Sequence, residues 1–69
     1  MDANELVAAI HAHLANRGRV LLASYTRPII YSVKHASMFR VAADGRGVRV
    51  GWPGHKSVYV FVYQLSLID

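Results

Sequence analysis

Residues 57–67 read SVYVFVYQLSL, the longest run of strand-forming side chains in the chain, and they decide the fold class. Successive side chains of a strand point to opposite faces of a sheet. One face of this strand would carry Val58, Val60 and Val62, and the other would carry Tyr59, Phe61, Tyr63, Leu65 and Leu67. Both faces are therefore apolar. One can pack on a helix, so the other needs a second copy of the chain or a partner to cover it.

Residues 3–16 predict the one helix of the chain. Asp2 and Glu5 have the spacing of a capping box, in which each side chain accepts a hydrogen bond from an amide near the helix start. A single apolar stripe follows at helical spacing: Leu6, Val7, Ile10 and Leu14. Gly18 is placed to end the helix in the left-handed conformation that glycine adopts most readily.

Four further strands are predicted between this helix and the last strand, at 19–27, 29–34, 38–43 and 48–52. Pro28 separates the first two, Asp44-Gly45 is a hairpin signal, and Pro53-Gly54 fits the centre of a type II turn. We therefore expect an α+β fold in a single domain, residues 1–69. One N-terminal helix would pack on a four- to five-stranded antiparallel sheet, either a meander or a partly closed barrel.

The chain is short and rich in apolar residues. Its 69 residues contain no cysteine, and 54% of them are hydrophobic. A domain of this size buries only about 60% of the surface that its unfolded form exposes, so it is marginally stable alone. We therefore expect a homodimer or a higher oligomer.

Nothing in the sequence predicts export or a membrane span. Asp2 and Glu5 stand where a signal peptide needs basic residues, and the longest apolar run, 58–63, is far shorter than the ~18 residues of a spanning helix. We expect a cytoplasmic protein with no membrane partner.

No residue pattern predicts an enzyme, a metal site or a cofactor. His11 and His13 are two apart on the helix and point to different sides, and His35 and His55 lack a cluster of carboxylates or thiols. No serine stands in a Gly-x-Ser-x-Gly motif, and four acidic residues in all are too few for paired carboxylates. Gly45-Arg46-Gly47 lacks the Gly-Lys-Ser/Thr ending of a phosphate loop and predicts a hairpin tip.

Positive charge is the feature that points to a partner. Residues 6–43 contain no acidic side chain and five basic ones, and the whole chain has a net charge of +4. Such a field attracts phosphates or acidic protein surfaces. The predicted contact residues are Arg27, Lys34, Arg40, Arg46, Arg49 and Lys56, with Tyr25 and Tyr31 as stacking or anchor groups. In the alternative interpretation, the tyrosines border the core and the charges only maintain solubility. Three other aromatic residues are expected in the core: Phe39, Trp52 and Phe61.

Three functions fit these features. The first is a non-enzymatic interaction module that docks on a protein or nucleoprotein complex. In size, charge and lack of motif the chain resembles the small accessory proteins of phages and mobile elements, such as anti-CRISPR proteins. That likeness implies an accessory or inhibitor role, and no family signature carries it. The second function is direct binding of DNA or RNA through a basic and aromatic sheet face. The third is a structural homo-oligomer whose exposed strands pair between subunits.

Overall fold

The computed structural model describes residues Met1–Asp69, and its first element is helix α1, Ala3–Ala15. Asp2 caps this helix, because its Oδ1 accepts a hydrogen bond of 2.8 Å from the backbone N–H of Glu5. This is one half of the predicted capping box, and the Glu5 side chain does not return the bond. The predicted apolar stripe is confirmed: its four residues are buried, together with Ala3.

The end of α1 corrects the role expected of Gly18. Arg17, not Gly18, adopts the left-handed conformation, with φ of 69°. The backbone N–H of Gly18 donates to the carbonyl of His13 at 2.8 Å, and that of Arg17 donates to Leu14 at 3.0 Å, which is the Schellman pattern. Position 18 has a different constraint, because a Cβ there would lie 2.2 Å from Nε2 of His13 and the His13 ring would have to move.

Six short strands follow α1: β1 Arg19–Leu22, β2 Ile29–Tyr31, β3 Phe39–Val41, β4 Val48–Val50, β5 Val58–Val60 and β6 Leu65–Ile68. They form two three-stranded antiparallel sheets, with the orders β2-β1-β6 and β3-β4-β5. We call these sheet A and sheet B. The α+β class is thus confirmed, but the predicted single sheet of four to five strands is not.

The predicted long strand at 57–67 is wrong, because a 3-10 helix, Val62–Gln64, divides it into β5 and β6. The side chain of Gln64 stabilises the break. Its Oε1 accepts a hydrogen bond of 2.8 Å from the backbone N–H of Phe61, and its Nε2 donates to the carbonyl of Ala23 at 3.2 Å. The chain therefore leaves sheet B after Val60 and joins sheet A at Leu65.

A second 3-10 helix, Val33–Met38, shortens the strands predicted at 29–34 and 38–43. The backbone N–H of Ser32 donates to Nδ1 of His35 at 3.0 Å and fixes the start of this helix. The predicted turns are confirmed: Gly45 has φ of 71° in the β3–β4 hairpin, and Gly54 has φ of 80°. The His55 N–H closes the second turn by donating to the Trp52 carbonyl at 3.0 Å.

The core lies where α1 packs against β1 and β3, so one helix face covers both sheets. Phe39 is buried there, as predicted, with valines and leucines of both sheets. Trp52 and Phe61 are 44% and 51% exposed, so their predicted core placement is wrong. Phe61 follows the buried Val60 and points to the opposite side, which α1 does not cover. No helix in the structure is long and apolar enough to span a membrane.

Candidate interaction surface

Three aromatic side chains form a continuous line of ring contacts along and just beyond β5. We call them the aromatic row: Tyr59, Phe61 and Tyr63. The Tyr59 and Phe61 rings meet edge to face with centroids 5.6 Å apart. The Phe61 and Tyr63 rings are parallel within 5° at 5.5 Å. Phe61 is 51% exposed and Tyr63 is 79% exposed, so much of the row faces solvent.

Tyr59 is fixed at one end of the row by the β3–β4 hairpin. Its hydroxyl donates a hydrogen bond of 2.9 Å to Oδ2 of Asp44. Its ring lies directly against Gly47, where an added Cβ would be 2.3 Å from Cζ of the tyrosine. The backbone N–H of Arg46 and the Tyr59 hydroxyl hold the pKa of Asp44 below its usual value, and the bond to Asp44 raises the pKa of Tyr59.

A shallow open cleft of about 340 Å³ lies at the other end of the row. Phe61 and Tyr63 line it, together with Tyr25, Gln64 and the loop residues Ala23 and Ser24. The Tyr25 side chain is fully exposed, so it packs on nothing else in the chain. Gln64 bonds both to Phe61 and to the carbonyl of Ala23, so one side chain ties the two walls of this cleft together.

Two arginines stand side by side next to the row, and we call them the arginine pair: Arg40 on β3 and Arg49 on β4. They are directly opposite residues of an antiparallel pair, and the next residue across the sheet is Tyr59. The guanidinium carbon of Arg49 lies 5.5 Å from the Tyr59 ring centroid, in cation–π range. Nη1 of Arg40 donates to the Gly51 carbonyl at 2.9 Å, and Nη1 of Arg49 donates to the Ser57 carbonyl at 3.5 Å.

The structure gathers some of the predicted contact residues and leaves others apart. Arg40 and Arg49 form the pair, and Arg46 is on the hairpin tip, near enough to Asp44 and Tyr59 to affect the pKa of both. Tyr25 shares the cleft with the row. The remaining cations are exposed, and their side chains make no hydrogen bond: Arg27, Lys34 and Lys56.

Tyr31 is not brought to the row. Its half-buried ring lies against the core, edge-on to Phe39 at 5.1 Å and to His35 at 5.4 Å, and burial raises its pKa. The residues that take its place were absent from the predicted contact set: Tyr59, Phe61 and Tyr63. The sequence did contain a signal for them, because they are the three aromatic residues on one face of the 57–67 stretch.

Three of the four histidine side chains make separate hydrogen bonds to the backbone. His11 bonds the carbonyl of Phe39 at 3.0 Å, His13 bonds that of Ile68, and His35 accepts from Ser32. No group of three or more His, Cys, Asp or Glu side chains is arranged to hold a metal ion. Comparisons of the chain with protein-family models, with curated proteins and with solved structures found no match. The aromatic row, the cleft and the arginine pair are thus the features on which a function can be argued.

Proposed function

We propose that this chain is a small non-enzymatic interaction module that docks on a protein or nucleoprotein complex through the aromatic row, the cleft and the arginine pair. One observation carries the proposal. The rings of Tyr25, Phe61 and Tyr63 are all exposed around one cleft, and Tyr59 connects them to two arginines whose hydrogen bonds go to neutral carbonyls.

Exposed rings forgo stabilisation that burial would provide. Burying apolar surface is worth roughly 25 cal/mol per Å², whereas a ring–ring contact adds only about 0.5–1.5 kcal/mol. The contacts within the row therefore offset a minor part of the lost burial. Clusters of tyrosine, phenylalanine and arginine on a surface are typical of binding interfaces, where aromatic and arginine side chains provide most of the affinity.

The charge of the surface indicates an anionic partner. The arginine pair adds two positive charges to the edge of an apolar patch, in a chain with a net charge of +4. An anionic surface on the partner would be attracted at a distance and would then cover the rings. A module of this kind acts by occupying a surface of a larger assembly, which suits an accessory or inhibitor protein.

The test is capture followed by reconstitution. The tagged chain is used to recover its partner from an extract of the cells that encode it, and the recovered complex is identified, purified and titrated against the chain. We expect saturable binding to one defined complex. The double variant Phe61→Ser, Tyr63→Ser should lose that binding, because the row is its contact surface.

A matched control removes exposed apolar side chains elsewhere. The double variant Ile30→Ser, Val33→Ser changes two residues of sheet A and the following 3-10 helix that are 48% and 38% exposed. It should bind as the wild type does. Equal binding by the row variant, or loss of binding only in the control, would show that the chain docks elsewhere and would refute the proposal.

A further inference from the structure

The arginine pair places two like charges on directly opposite residues of the sheet, and no carboxylate of the chain pairs with either one. Directly opposite residues of an antiparallel pair have Cβ atoms about 4.5–5.5 Å apart, and like charges there are destabilising. Neither guanidinium bonds a carboxylate, since the single bond that each one makes goes to a backbone carbonyl. A guanidinium has five N–H donors, so each arginine keeps about four for a ligand. An anion between Arg40 and Arg49 would relieve the repulsion and use those donors.

Rings lead away from that pair in an unbroken line. Arg49 lies over Tyr59, Tyr59 contacts Phe61, and Phe61 is parallel to Tyr63. Tyr63 and the fully exposed Tyr25 then line the cleft together. A ligand that follows this line meets a cation site first and flat apolar faces afterwards. Such a ligand carries an anionic group at the arginine end and planar rings along the rest of its length.

Single-stranded nucleic acid has this chemistry. Its bases are free to stack on aromatic side chains, and its phosphates pair with arginine. A duplex offers base edges while its base faces are stacked internally, so it would leave the rings unused. An acidic protein surface would neutralise the arginines but would offer few planar groups to the cleft.

We propose that the aromatic row, the cleft and the arginine pair bind a segment of single-stranded nucleic acid. Phosphates lie between Arg40 and Arg49, and bases stack on Phe61, Tyr63 and Tyr25. This inference rests on the proposed function, because it names what the docking surface recognises within a nucleoprotein complex. No sequence preference is implied, since stacking accepts every base.

The test is fluorescence anisotropy with a labelled mixed-sequence DNA strand of about 12 nucleotides, a length within the range that single-strand binding folds cover. We expect binding that weakens steeply as salt rises from about 50 to 200 mM, since phosphate contacts release counterions. The matching duplex and a polyglutamate peptide should compete poorly. The row variant Phe61→Ser, Tyr63→Ser should bind at least about tenfold more weakly, because each lost base stack is worth about that much.

Charge variants separate the arginine pair from net charge. Arg49→Gln should weaken binding and reduce the slope of log affinity against log salt by about 1. Arg17→Gln removes one charge at the end of α1, away from the row, and should change affinity by less than about twofold, in line with the weak effect of distant exposed charges. Thermal unfolding of each variant establishes that it is folded.

Three results would overturn the inference. The first is no binding of the single strand at about 50 mM salt, where phosphate contacts are favoured. The others are equal binding by the row variant and tighter binding of the duplex or of polyglutamate. Capture of the partner complex after nuclease treatment distinguishes this failure from that of the proposed function. If the chain binds no oligonucleotide but still captures the nuclease-treated complex through the row, the docking function stands and its ligand is a protein surface.

Discussion

The Tyr59 hydroxyl donates a hydrogen bond of 2.9 Å to Oδ2 of Asp44, which joins the start of the aromatic row to the β3–β4 hairpin. The other carboxylate oxygen, Oδ1, accepts from the backbone N–H of Arg46 at 2.8 Å. One acidic side chain thus closes the hairpin turn and holds the ring that Arg49 contacts. The hydrogen bond between Tyr59 and Asp44 therefore sets the orientation of the Tyr59 ring.

Acid should weaken the hairpin through Asp44. The Arg46 N–H and the Tyr59 hydroxyl lower the pKa of Asp44 below its ordinary value of 3.8, so the folded chain binds this proton less readily than the unfolded chain. The stabilisation is present above 3.8 and is lost as the pH falls through the lower, folded pKa. In urea unfolding, Asp44→Asn should be less stable than the wild type at neutral pH, and the difference should shrink in acid. A difference that is constant with pH would contradict this assignment.

Alkali should weaken the same hydrogen bond by ionising the Tyr59 hydroxyl. The hydrogen bond to Asp44 raises the pKa of Tyr59 above its ordinary value of 10.0, because the bond needs the protonated phenol. Its stabilisation is present below 10.0 and is lost as the pH rises through the folded pKa. A spectrophotometric titration of phenolate should therefore show one tyrosine ionising later in the wild type than in Asp44→Asn. Identical titration curves would show that the bond does not form in solution.

Gly47→Ala should displace the Tyr59 ring. The added Cβ would lie 2.3 Å from Cζ of Tyr59, whose hydroxyl is already held by Asp44. The end of the ring faces solvent and can move aside, so the cost is the loss of its hydrogen bond to Asp44, and the unfolding free energy should fall. A double-mutant cycle with Tyr59→Ala, measured by urea unfolding, isolates the clash: the glycine substitution should cost little when the ring is absent. An equal cost in both backgrounds would place the strain in the backbone of the hairpin instead.

Sequence reasoning identified the elements that depend on local spacing. The stripe of α1 and both glycine turns follow from residues close together in the chain. The sequence analysis selected Arg40 and Arg49 as contact residues but did not pair them. A local signal for the pair exists, because a hairpin centred on Asp44-Gly45 places Arg40 opposite Arg49.

The break at Val62–Gln64 could not be predicted in the same way. The alternating pattern continues through it, and Gln64 fixes it partly by bonding Ala23, which is 41 residues away in sequence. The aromatic face of 57–63 was visible, but its exposure depends on which side of β5 faces the core, where Val60 is buried. Both features depend on tertiary contacts, which the local sequence pattern does not reveal.

The end of α1 supplies a prediction in which two neighbouring residues respond with opposite signs. Arg17 has φ of 69°, a conformation that costs an L-residue roughly 1–2 kcal/mol, so Arg17→Gly should raise the unfolding free energy by up to about 1 kcal/mol. That gain corresponds to about 4–8 °C in Tm for a domain of this size. Gly18→Ala should lower Tm, because its Cβ would meet the His13 ring. Thermal unfolding checks both variants, and a stabilised Gly18→Ala would refute the packing of His13 on Gly18.

Gln64 should link the stability of the chain to the shape of the cleft. Its side chain accepts from the Phe61 N–H and donates to the Ala23 carbonyl, and each such bond is worth about 0.5–1.5 kcal/mol. Gln64→Leu loses both bonds and should lower the unfolding free energy by about 1–3 kcal/mol, the sum of the two. Gln64→Glu keeps the oxygen that accepts from the Phe61 N–H, so its unfolding free energy should lie between those of the wild type and Gln64→Leu. Urea unfolding ranks the three chains, and amide hydrogen exchange at Phe61 should be faster in the leucine variant than in the glutamate variant. Equal exchange in both would mean that the Phe61 N–H bond does not hold the junction of β5 and β6.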